Sequence, residues 1–254
     1  MLLALDVGNT NIVAGVFEDD GLIARWRLTT EARRTADEYA VLLRSLFQAA
    51  DVDGTNVDGV VIASVVPAAQ ETLKQALEQY WHIEAMTVSH ELDFGIPVRY
   101  NPPNAVGADR LANAIAAIAL YGAPAIVVDF GTATTFDVIS SRGEYLGGAI
   151  APGLEISEDA LLLRTAQLPR VALHPPASAI GTSTVTSLQS GILFGYAGLV
   201  DGLVHRISVE LGDNVHVIAT GGLATTVSPL AERVQHIDVD LTLVGLRLIY
   251  ERNS

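Results

Sequence analysis

Residues 2–21 read LLALDVGNTNIVAGVFEDDG, and residues 126–143 read IVVDFGTATTFDVISSRG. In each stretch an apolar run ends on an aspartate, a glycine follows two positions later, and Thr or Asn residues lead into a second apolar run. The two aspartates, Asp6 and Asp129, are separated by close to half of the 254 residues. The same strand–turn–strand pattern at this spacing predicts a chain built from two similar halves.

The composition limits where such a chain works. Half of the residues are hydrophobic, which is enough for one large core or two cores of ordinary size. The absence of cysteine excludes disulfides and thiolate metal sites, and it suits a reducing compartment. The N-terminus has no basic segment and reaches Asp6 early, so we expect no signal peptide. We therefore expect a cytoplasmic protein.

The charge of the chain limits its partners. The formal net charge is −14, and Lys74 is the only lysine. Nonspecific nucleic-acid binding depends on basic side chains that neutralise phosphates, so we expect no nucleic-acid partner. A Walker A loop is excluded because no Gly-Lys pair occurs. A chain of this kind that binds phosphates must use backbone N–H groups, a few arginines and bound cations.

One stretch, residues 111–128, has the length of a membrane span. Asp109 and Arg110 precede it, Asn113 interrupts it, and the Gly-Ala-Pro sequence at 122–124 divides it. We interpret it as a buried helix followed by a buried strand, and we expect no membrane anchor.

Both halves follow the order βββαβα, with extra helices inserted. The first half predicts the strands LLALDVG, NIVAGVF and LIARWRL, a helix capped by Thr35 and Glu38, the strand GVVIASVV and a helix that begins at Pro67. The second half predicts the strands AIVVDFG, TTFDVIS and YLGGAIAPG, helices over 154–167 and 187–211, the strand VHVIATG and a last helix over LTLVGLRLIYER. We predict two domains, 1–112 and 113–254.

This duplicated unit, with an Asp-x-Gly turn between its first two strands, resembles the actin, Hsp70 and hexokinase ATPase superfamily. The resemblance implies an α/β fold of two actin-like (ribonuclease H-like) halves around a nucleotide cleft, with one turn on each side of the phosphates. Glycine lets the backbone approach an oxyanion, and Thr or Asn adds donors. One such turn alone is also an ordinary hairpin turn. Its repetition with matching flanks favours phosphate binding.

Shorter motifs resemble those of type III pantothenate kinases, a family that phosphorylates pantothenate with ATP in the first committed step towards coenzyme A. They are DVGNTN (6–11), ASVVP (63–67), GADR (107–110), DFGTATTFD (129–137), GGAIAPG (147–153), QLPRV (167–171), TSLQSG (186–191) and TGGLA (220–224). GADR alone is a weak signal, whereas the ordered set covers nearly the whole chain.

The resemblance implies a role for residues in both halves. ATP would be bound by the first turn and by one residue of the second, namely Asp6, Val7, Gly8, Asn9, Thr10, Asn11, Ile12, Val13 and Thr132. Pantothenate would be contacted by Tyr100, Gly107, Ala108, Asp109, Arg110 and Thr184, with Asp109 as the general base. Asp129 would ligate the monovalent cation, potassium or ammonium, that the family requires besides the Mg²⁺ of ATP. The family is homodimeric, which implies a homodimer here.

The implied chemistry suits these residue types. Pantothenate offers a primary hydroxyl, whose proton Asp109 can accept, and a carboxylate, which Arg110 can attract; phosphoryl transfer otherwise needs mainly positioning and charge stabilisation. Asp109 also has a purely structural reading, because a carboxylate in the first turn of a helix is favoured by the helix dipole. Asp137 stays open between a cleft residue and a charge at a strand end. The six histidines show no metal-ligand spacing.

One departure and two alternatives remain at this point. Where the family commonly has Gly-Lys-Asn-Thr, this chain has Gly-Thr-Ser-Thr at 181–184, so the lysine is missing although Thr184 is kept. A sugar or carboxylate kinase of the same superfamily would share the two turns, since these bind only ATP. A non-catalytic regulatory relative is the second alternative, against which the intact Asp6, Asp109 and Asp129 stand.

Overall fold

The structure is a computed structural model, and it describes residues 1–31, 33–165, 168–212 and 214–254. Contacts within the chain divide it into two units. Unit 1 comprises Met1–Gly95, Asn101–Ala116 and Thr242–Ser254, and unit 2 comprises Ile96–Tyr100 and Ala117–Leu241. Unit 1 therefore includes the C-terminal segment as well, and the predicted domain boundary at 112/113 stays a prediction.

Unit 1 contains a five-stranded sheet in the order β3-β2-β1-β4-β5. Its strands are β1 (Leu2–Val7), β2 (Asn11–Glu18), β3 (Gly21–Thr29), β4 (Gly59–Ser64) and β5 (Met86–Thr87). β1 is antiparallel to β2 and parallel to β4, and it is the central strand. It is covered on both faces, which explains its continuous apolar run.

Helices cover the two faces of this sheet. On one face, α1 (Ala36–Ala49) and α2 (Pro67–Trp81) pack a cluster around Leu5, Leu43 and Leu73. On the other face, the first part of α3 (Ala108–Tyr121) and most of α7 (Leu241–Asn253) pack around Val61 and Leu246. The buried Asn113 of α3 accepts a hydrogen bond from the Thr242 hydroxyl (2.7 Å), which satisfies part of its polar side chain within that apolar face.

Unit 2 repeats the sheet, in the order β10-β9-β6-β7-β8. Its strands are β6 (Ala125–Phe130), β7 (Ala133–Ile139), β8 (Tyr145–Pro152), β9 (His216–Thr220) and β10 (His236–Ile237), and its other helices are α4 (Leu154–Arg164), α5 (Thr184–Leu211) and α6 (Ala224–Val227). Each sheet has an antiparallel three-strand meander followed by two parallel strands. The duplication predicted from the repeated turn is thereby confirmed.

Several helix boundaries follow their predicted chemistry. Thr35 and Glu38 form a capping box at α1, in which Glu38 Oε2 accepts from the Thr35 nitrogen (2.7 Å). Pro67 is the first residue of α2, and Gly122, with φ of +89°, follows α3. The apolar stretch at 111–128 divides into α3 and β6, as predicted.

Two helices differ from their predicted bounds. α4 ends at Arg164, and residues 166 and 167 of the predicted helix lie outside the described residues, as does Gln167 of the QLPRV motif. α5 begins at Thr184, three residues earlier than predicted, because Ser183 and Thr186 form a capping box there. By length and composition α5 is the one described helix that could cross a membrane, a criterion that long helices of soluble proteins also meet.

Candidate active site

The first turn joins β1 to β2. Gly8 donates its N–H to the Asn11 carbonyl (3.0 Å), and Thr30 holds the turn from outside by donating its hydroxyl to the Gly8 carbonyl (2.7 Å). The Thr30 nitrogen also donates to the Thr10 carbonyl (3.0 Å). Asn9 and Thr10 are exposed, and Asp6 is half-buried at the end of β1. The turn therefore presents polar side chains and backbone to solvent while its shape is set by Thr30, which the sequence reasoning missed.

The second turn joins β6 to β7 and is one residue shorter. Asp6 pairs with Val13 across the first hairpin, whereas Asp129 pairs with Thr135 across the second. Gly131 donates to the Ala133 carbonyl (3.1 Å), and Thr132 is exposed. The two turns thus join their strands in the same way, but the second has one residue fewer between its paired strand ends, so its hydrogen-bond donors are spaced differently.

Two glycines from outside the hairpin pack on the second turn. Gly153 donates its N–H to the Thr132 carbonyl (3.1 Å), and a methyl group added to Gly153 would lie 2.2 Å from that oxygen. A methyl group added to Gly221, whose φ is +90°, would lie 2.4 Å from Oδ1 of Asp129. No side chain fits at either position, so the GGAIAPG and TGGLA motifs owe these glycines to close backbone packing on the turn.

The surroundings of Asp129 bear on cation binding. The carboxylate is half-buried and lies beside the backbone of Gly221. Among the residues that the structure describes, no group of three or more His, Asp or Glu side chains could hold a metal ion. A cation at Asp129 would therefore draw its other ligands from backbone carbonyls, water or a bound phosphate.

Asp137 belongs to the interior of unit 2. It is fully buried in β7, and its Oδ1 accepts from the hydroxyl of Tyr145, which is also fully buried (2.9 Å). The Thr135 hydroxyl donates to Oδ2 (3.3 Å). Asp137 is therefore a buried, hydrogen-bonded carboxylate that links β7 to β8, and it is not an exposed charge at a strand end.

The GADR motif forms the start of α3. Leu111 donates its N–H to the Gly107 carbonyl (3.2 Å), so the helix begins directly after this glycine. A methyl group on Gly107 would lie 2.4 Å from Oδ1 of Asp109, which means that this carboxylate folds back over the glycine. Asp109 is half-buried, and the neighbouring Arg110 is 8% exposed. Glycine at 107 thus leaves room for Asp109 at a helix N-terminus, where the dipole stabilises its negative charge.

Tyr100 is held by a segment that runs beside β8. Tyr145 of β8 donates its N–H to the Pro97 carbonyl (2.9 Å), and Arg99 donates its own to the Tyr145 carbonyl (2.8 Å). The Tyr100 ring then lies against Gly147, where a methyl group would approach its Cδ2 atom to 2.9 Å. The position of Tyr100 is therefore set by the β8 backbone.

A buried carboxylate anchors this segment. Glu144, which is 5% exposed, accepts two hydrogen bonds from the Arg99 guanidinium at its Oε1, from Nε (2.9 Å) and Nη2 (2.7 Å). Its Oε2 accepts from Nε of Arg142 (3.1 Å) and from the Ser140 hydroxyl (3.2 Å). These bonds, that from Arg99 foremost, lower the pKa of the Glu144 carboxyl. Arg99, which Glu144 holds, directly precedes Tyr100 in sequence, although no motif marked this pair.

Thr184 is the first residue of α5 and is exposed. The cap of this helix is Ser183, whose hydroxyl accepts from the Thr186 nitrogen (3.2 Å) while the Thr186 hydroxyl accepts from the Ser183 nitrogen (3.0 Å). Ser183, one of the two residues that depart from the usual Lys-Asn pair, therefore has a structural role as a helix cap. Of the predicted site residues, unit 1 carries the first turn and Gly107–Arg110, and unit 2 carries Tyr100, Asp129, Thr132 and Thr184.

Comparison with known proteins gives one consistent family. A family model described as type III pantothenate kinase matches residues 2–206. The type III pantothenate kinase of Koribacter versatilis (strain Ellin345) is 50% identical over 264 residues, covering 100% of this chain and 96% of that protein. The one from Citrifermentans bemidjiense is 48% identical over 254 residues, covering 100% of both chains.

Solved structures with low sequence identity share the fold. A protein from Campylobacter jejuni described as a conserved putative Baf family transcriptional activator has a TM-score of 0.61 and 19% identity, and the match covers 98% of this chain and 97% of that one. The activator of the 2-hydroxyisocaproyl-CoA dehydratase from Clostridium difficile, solved with bound ADPNP, has a TM-score of 0.58 and 14% identity, with 99% and 95% covered. Together with the two matching sheets, these neighbours confirm the predicted actin-like ATPase fold.

Proposed function

The chain belongs to the type III pantothenate kinase family and is a kinase that phosphorylates pantothenate with ATP, and on this premise we propose which of its residues carry out the reaction. The observation that supports the function best is the identity of about half of all positions along the full length of relatives with that name. Family membership also decides against a sugar or carboxylate kinase and against a regulatory relative. ATP enters with a divalent cation, as kinases of this kind require.

ATP is bound by the two hairpin turns. The first turn contributes Asp6–Val13 and the second contributes Thr132. The exposure of Asn9, Thr10 and Thr132 supports this assignment, because hydroxyl, amide and backbone N–H groups at an exposed turn are the donors that bind phosphate oxygens. The fixed shape of each turn, set by Thr30 in one and by Gly153 and Gly221 in the other, avoids part of the entropy cost of ordering a phosphate-binding loop.

Asp109 is the general base. The pantothenate hydroxyl oxygen forms a bond to the γ-phosphorus, the bond from that phosphorus to the β,γ-bridging oxygen breaks, and ADP leaves. The hydroxyl proton passes to the Asp109 carboxylate. The folded-back position of this carboxylate over Gly107, half-exposed at the start of α3, supports the role because a base must have an accessible oxygen for the proton it accepts.

Pantothenate is held by Tyr100, Gly107–Arg110 and Thr184. The buried guanidinium of Arg110 gives the positive charge that a substrate carboxylate needs in an acidic chain. Thr184 is the first helical residue of α5, where unsatisfied N–H groups favour an anion or a hydroxyl acceptor. The Tyr100 ring, fixed on Gly147, supplies an apolar wall with a hydroxyl at its end.

Asp129 ligates a monovalent cation, potassium or ammonium, close to the phosphates. Two observations support this. The carboxylate is half-buried beside backbone, and carboxylate oxygens are ligands that hard cations prefer. The chain also has a single lysine, so that bound cations must offset phosphate charge.

The protein acts as a homodimer through the exposed face of α5. Four glycines, Gly191, Gly195, Gly198 and Gly202, lie on this helix with open space where each Cβ would be. Glycine inside a helix costs about 1 kcal/mol relative to alanine, so four of them indicate a packing surface that their own chain does not fill. An apolar groove of about 420 Å³, lined by residues such as Leu161, Leu188 and Leu199, adjoins the stripe. A second copy would cover both.

The remaining assignments follow from composition. The net charge of −14 supports a protein without a nucleic-acid partner. The absence of cysteine supports a cytoplasmic location, and the proposed dimer contact of α5 supports a helix that packs on protein rather than in a membrane.

A coupled assay of ADP release tests the substrate assignment. Purified protein is given ATP and Mg²⁺ with pantothenate, glucose, N-acetylglucosamine or acetate. A neutral hexose lacks the carboxylate that would bind Arg110, and the loss of this charge-assisted contact costs on the order of 30-fold or more in specificity. Pantothenate should therefore give the highest kcat/KM. Faster turnover of a sugar or of acetate would contradict the assignment of Arg110 and of the GADR segment.

A further inference from the structure

A cavity of about 380 Å³ lies where α1 and α2 end, beside the short 3-10 turn Gly54–Asn56. All of its lining residues belong to unit 1, and none of them is among the proposed ATP or pantothenate residues. Its volume is in the range of small-molecule sites in proteins. Its lining includes two charged side chains and several aromatic or aliphatic ones, namely Arg44, Asp53, Phe47, Val52, Tyr80 and Trp81.

The cation in this cavity has no carboxylate partner. The Arg44 guanidinium lies over the rings of Tyr80 (5.1 Å) and Trp81 (5.5 Å). In the part of the chain that the structure describes, it forms no ion pair and donates no hydrogen bond. The helix neighbours that would pair with it, three and four positions away, are Ala40, Val41, Phe47 and Gln48. In a chain with 29 acidic and 15 basic residues, an exposed arginine left without a carboxylate has its donors available to a ligand.

The aromatic walls are held in place by their own contacts. The Tyr80 hydroxyl donates to Oδ1 of Asp37 (2.5 Å), which fixes that ring at the end of α2. Phe47 packs edge-on against Trp26 (5.1 Å between centroids), and a methyl group on Gly54 would lie 3.1 Å from its Cγ atom. The cavity therefore exists without a ligand, and a ligand would bind to preorganised rings.

The second charged residue of the cavity already has an internal role. Oδ1 of Asp53 accepts from the Thr55 hydroxyl (2.7 Å) and from the Thr55 nitrogen (3.0 Å), so it caps the 3-10 turn. These hydrogen bonds lower the pKa of the Asp53 carboxyl, which is therefore ionised and engaged. Asp53 keeps its negative charge, but its Oδ1 is engaged on the turn, so the charged group of this cavity without a hydrogen bond among the described residues is the Arg44 guanidinium.

We propose that this cavity binds a small aromatic carboxylate, with its carboxylate paired to Arg44 and its ring against the aromatic and aliphatic walls. The planar guanidinium presents parallel N–H donors that match the two oxygens of a carboxylate. The side chains of Phe47, Val52 and Val57 suit a flat apolar body better than a sugar or a phosphate. Because none of the lining residues is among the proposed ATP or pantothenate residues, we expect an occupant other than either substrate.

Fluorine NMR with 4-fluorobenzoate tests the proposal on the full-length protein. For a ligand of about ten heavy atoms, saturable binding with a Kd on the order of 1 mM is expected. The neutral isostere 4-fluorobenzamide should bind at least tenfold more weakly, because a charge-assisted bond to Arg44 is lost. Both tryptophans of the chain lie at or next to the cavity, because Trp81 lines it and Trp26 contacts the lining residue Phe47. The intrinsic tryptophan fluorescence should therefore change when 4-fluorobenzoate is titrated.

A matched pair of variants separates the site from nonspecific attraction. Arg44→Gln should weaken binding of 4-fluorobenzoate at least tenfold while pantothenate turnover stays within about twofold, since Arg44 touches neither substrate. Arg233→Gln removes the same charge from an exposed loop position of unit 2 and should leave binding unchanged. Three results would each overturn the proposal. The acid and the amide could bind equally well, the two variants could bind the acid equally well, or no saturable binding could be seen at ligand concentrations up to about 10 mM, ten times the expected Kd.

Discussion

The backbone of Gly221 packs directly against the carboxylate of Asp129: a methyl group at position 221 would lie 2.4 Å from Oδ1 of Asp129 and 2.7 Å from the nitrogen of Phe130. The φ of Gly221 is +90°, a value that residues with side chains rarely adopt. The TGGLA motif therefore positions the aspartate of the DFGTATTFD motif. The glycine is expected to matter for catalysis although it carries no functional group.

We predict that Gly221→Ala lowers kcat/KM for ATP at least about tenfold, because the added methyl group displaces Asp129 and the second turn. Gly212→Ala is the matched control, since Gly212 has φ of +98° and open space around its Cβ position. Backbone strain should cost each variant about 1–3 kcal/mol in the free energy of unfolding, measured by urea denaturation, and Gly221→Ala should lose more because its methyl group also clashes. Equal kinetics for the two would show that the contact with Asp129 is irrelevant to the reaction.

We predict that turnover depends on the monovalent cation. Replacing potassium by sodium at constant ionic strength should lower kcat roughly tenfold, which corresponds to about 1.4 kcal/mol of lost transition-state stabilisation. Asp129→Asn, which keeps the side-chain shape, should lower kcat in potassium and abolish the difference between the two salts. The same rate for the unaltered protein in both salts would disprove the monovalent site.

We predict that Arg99 positions Tyr100 for pantothenate. Arg99→Ala removes the two hydrogen bonds to Glu144, and because the Arg99 side chain is 62% exposed the fold should persist. The KM for pantothenate should rise about two- to fivefold, the range expected for a solvent-exposed ion pair, while the KM for ATP stays unchanged. Arg99→Lys, which keeps the charge, should restore part of the loss.

Arg142→Ala is the control for this variant. Arg142 also donates to Glu144, but it is not part of the segment that carries Tyr100. Its removal should leave both KM values unchanged. A similar rise in the KM for pantothenate in both variants would mean that Glu144 acts through general stability and not through Tyr100.

We predict a dimer whose interface includes the glycine stripe of α5. Light scattering after gel filtration should give twice the 26.8 kDa chain mass. Gly195→Leu should yield a monomer, because it fills the surface on which a second helix packs, and the change itself favours helix formation by about 1 kcal/mol. Ala49→Leu adds the same side chain at an exposed position of α1 and should stay dimeric. A dimeric Gly195→Leu protein would place the interface elsewhere.

The repeated turn made the fold predictable, because the hairpins, helix caps and parallel crossovers follow from local sequence patterns. The role of Asp137 was not predictable, since it depends on the burial of Tyr145, eight residues further along the chain. Thr30, Gly153 and Gly221 acquire their roles from contacts between segments that are distant in sequence. The start of α5 was predicted three residues late because the Ser183–Thr186 capping box has threonine in place of the usual Glu or Gln.

The most direct test of the account is the kcat of Asp109→Asn, measured by ADP release with saturating ATP, Mg²⁺, potassium and pantothenate. The variant keeps the size and polarity of the side chain over Gly107, so α3 and ATP binding should persist. The loss of the general base should lower kcat by roughly 10²–10⁴-fold. A variant that kept more than about a third of the original kcat, with ATP binding intact, would contradict the assignment of Asp109 and with it the proposed mechanism.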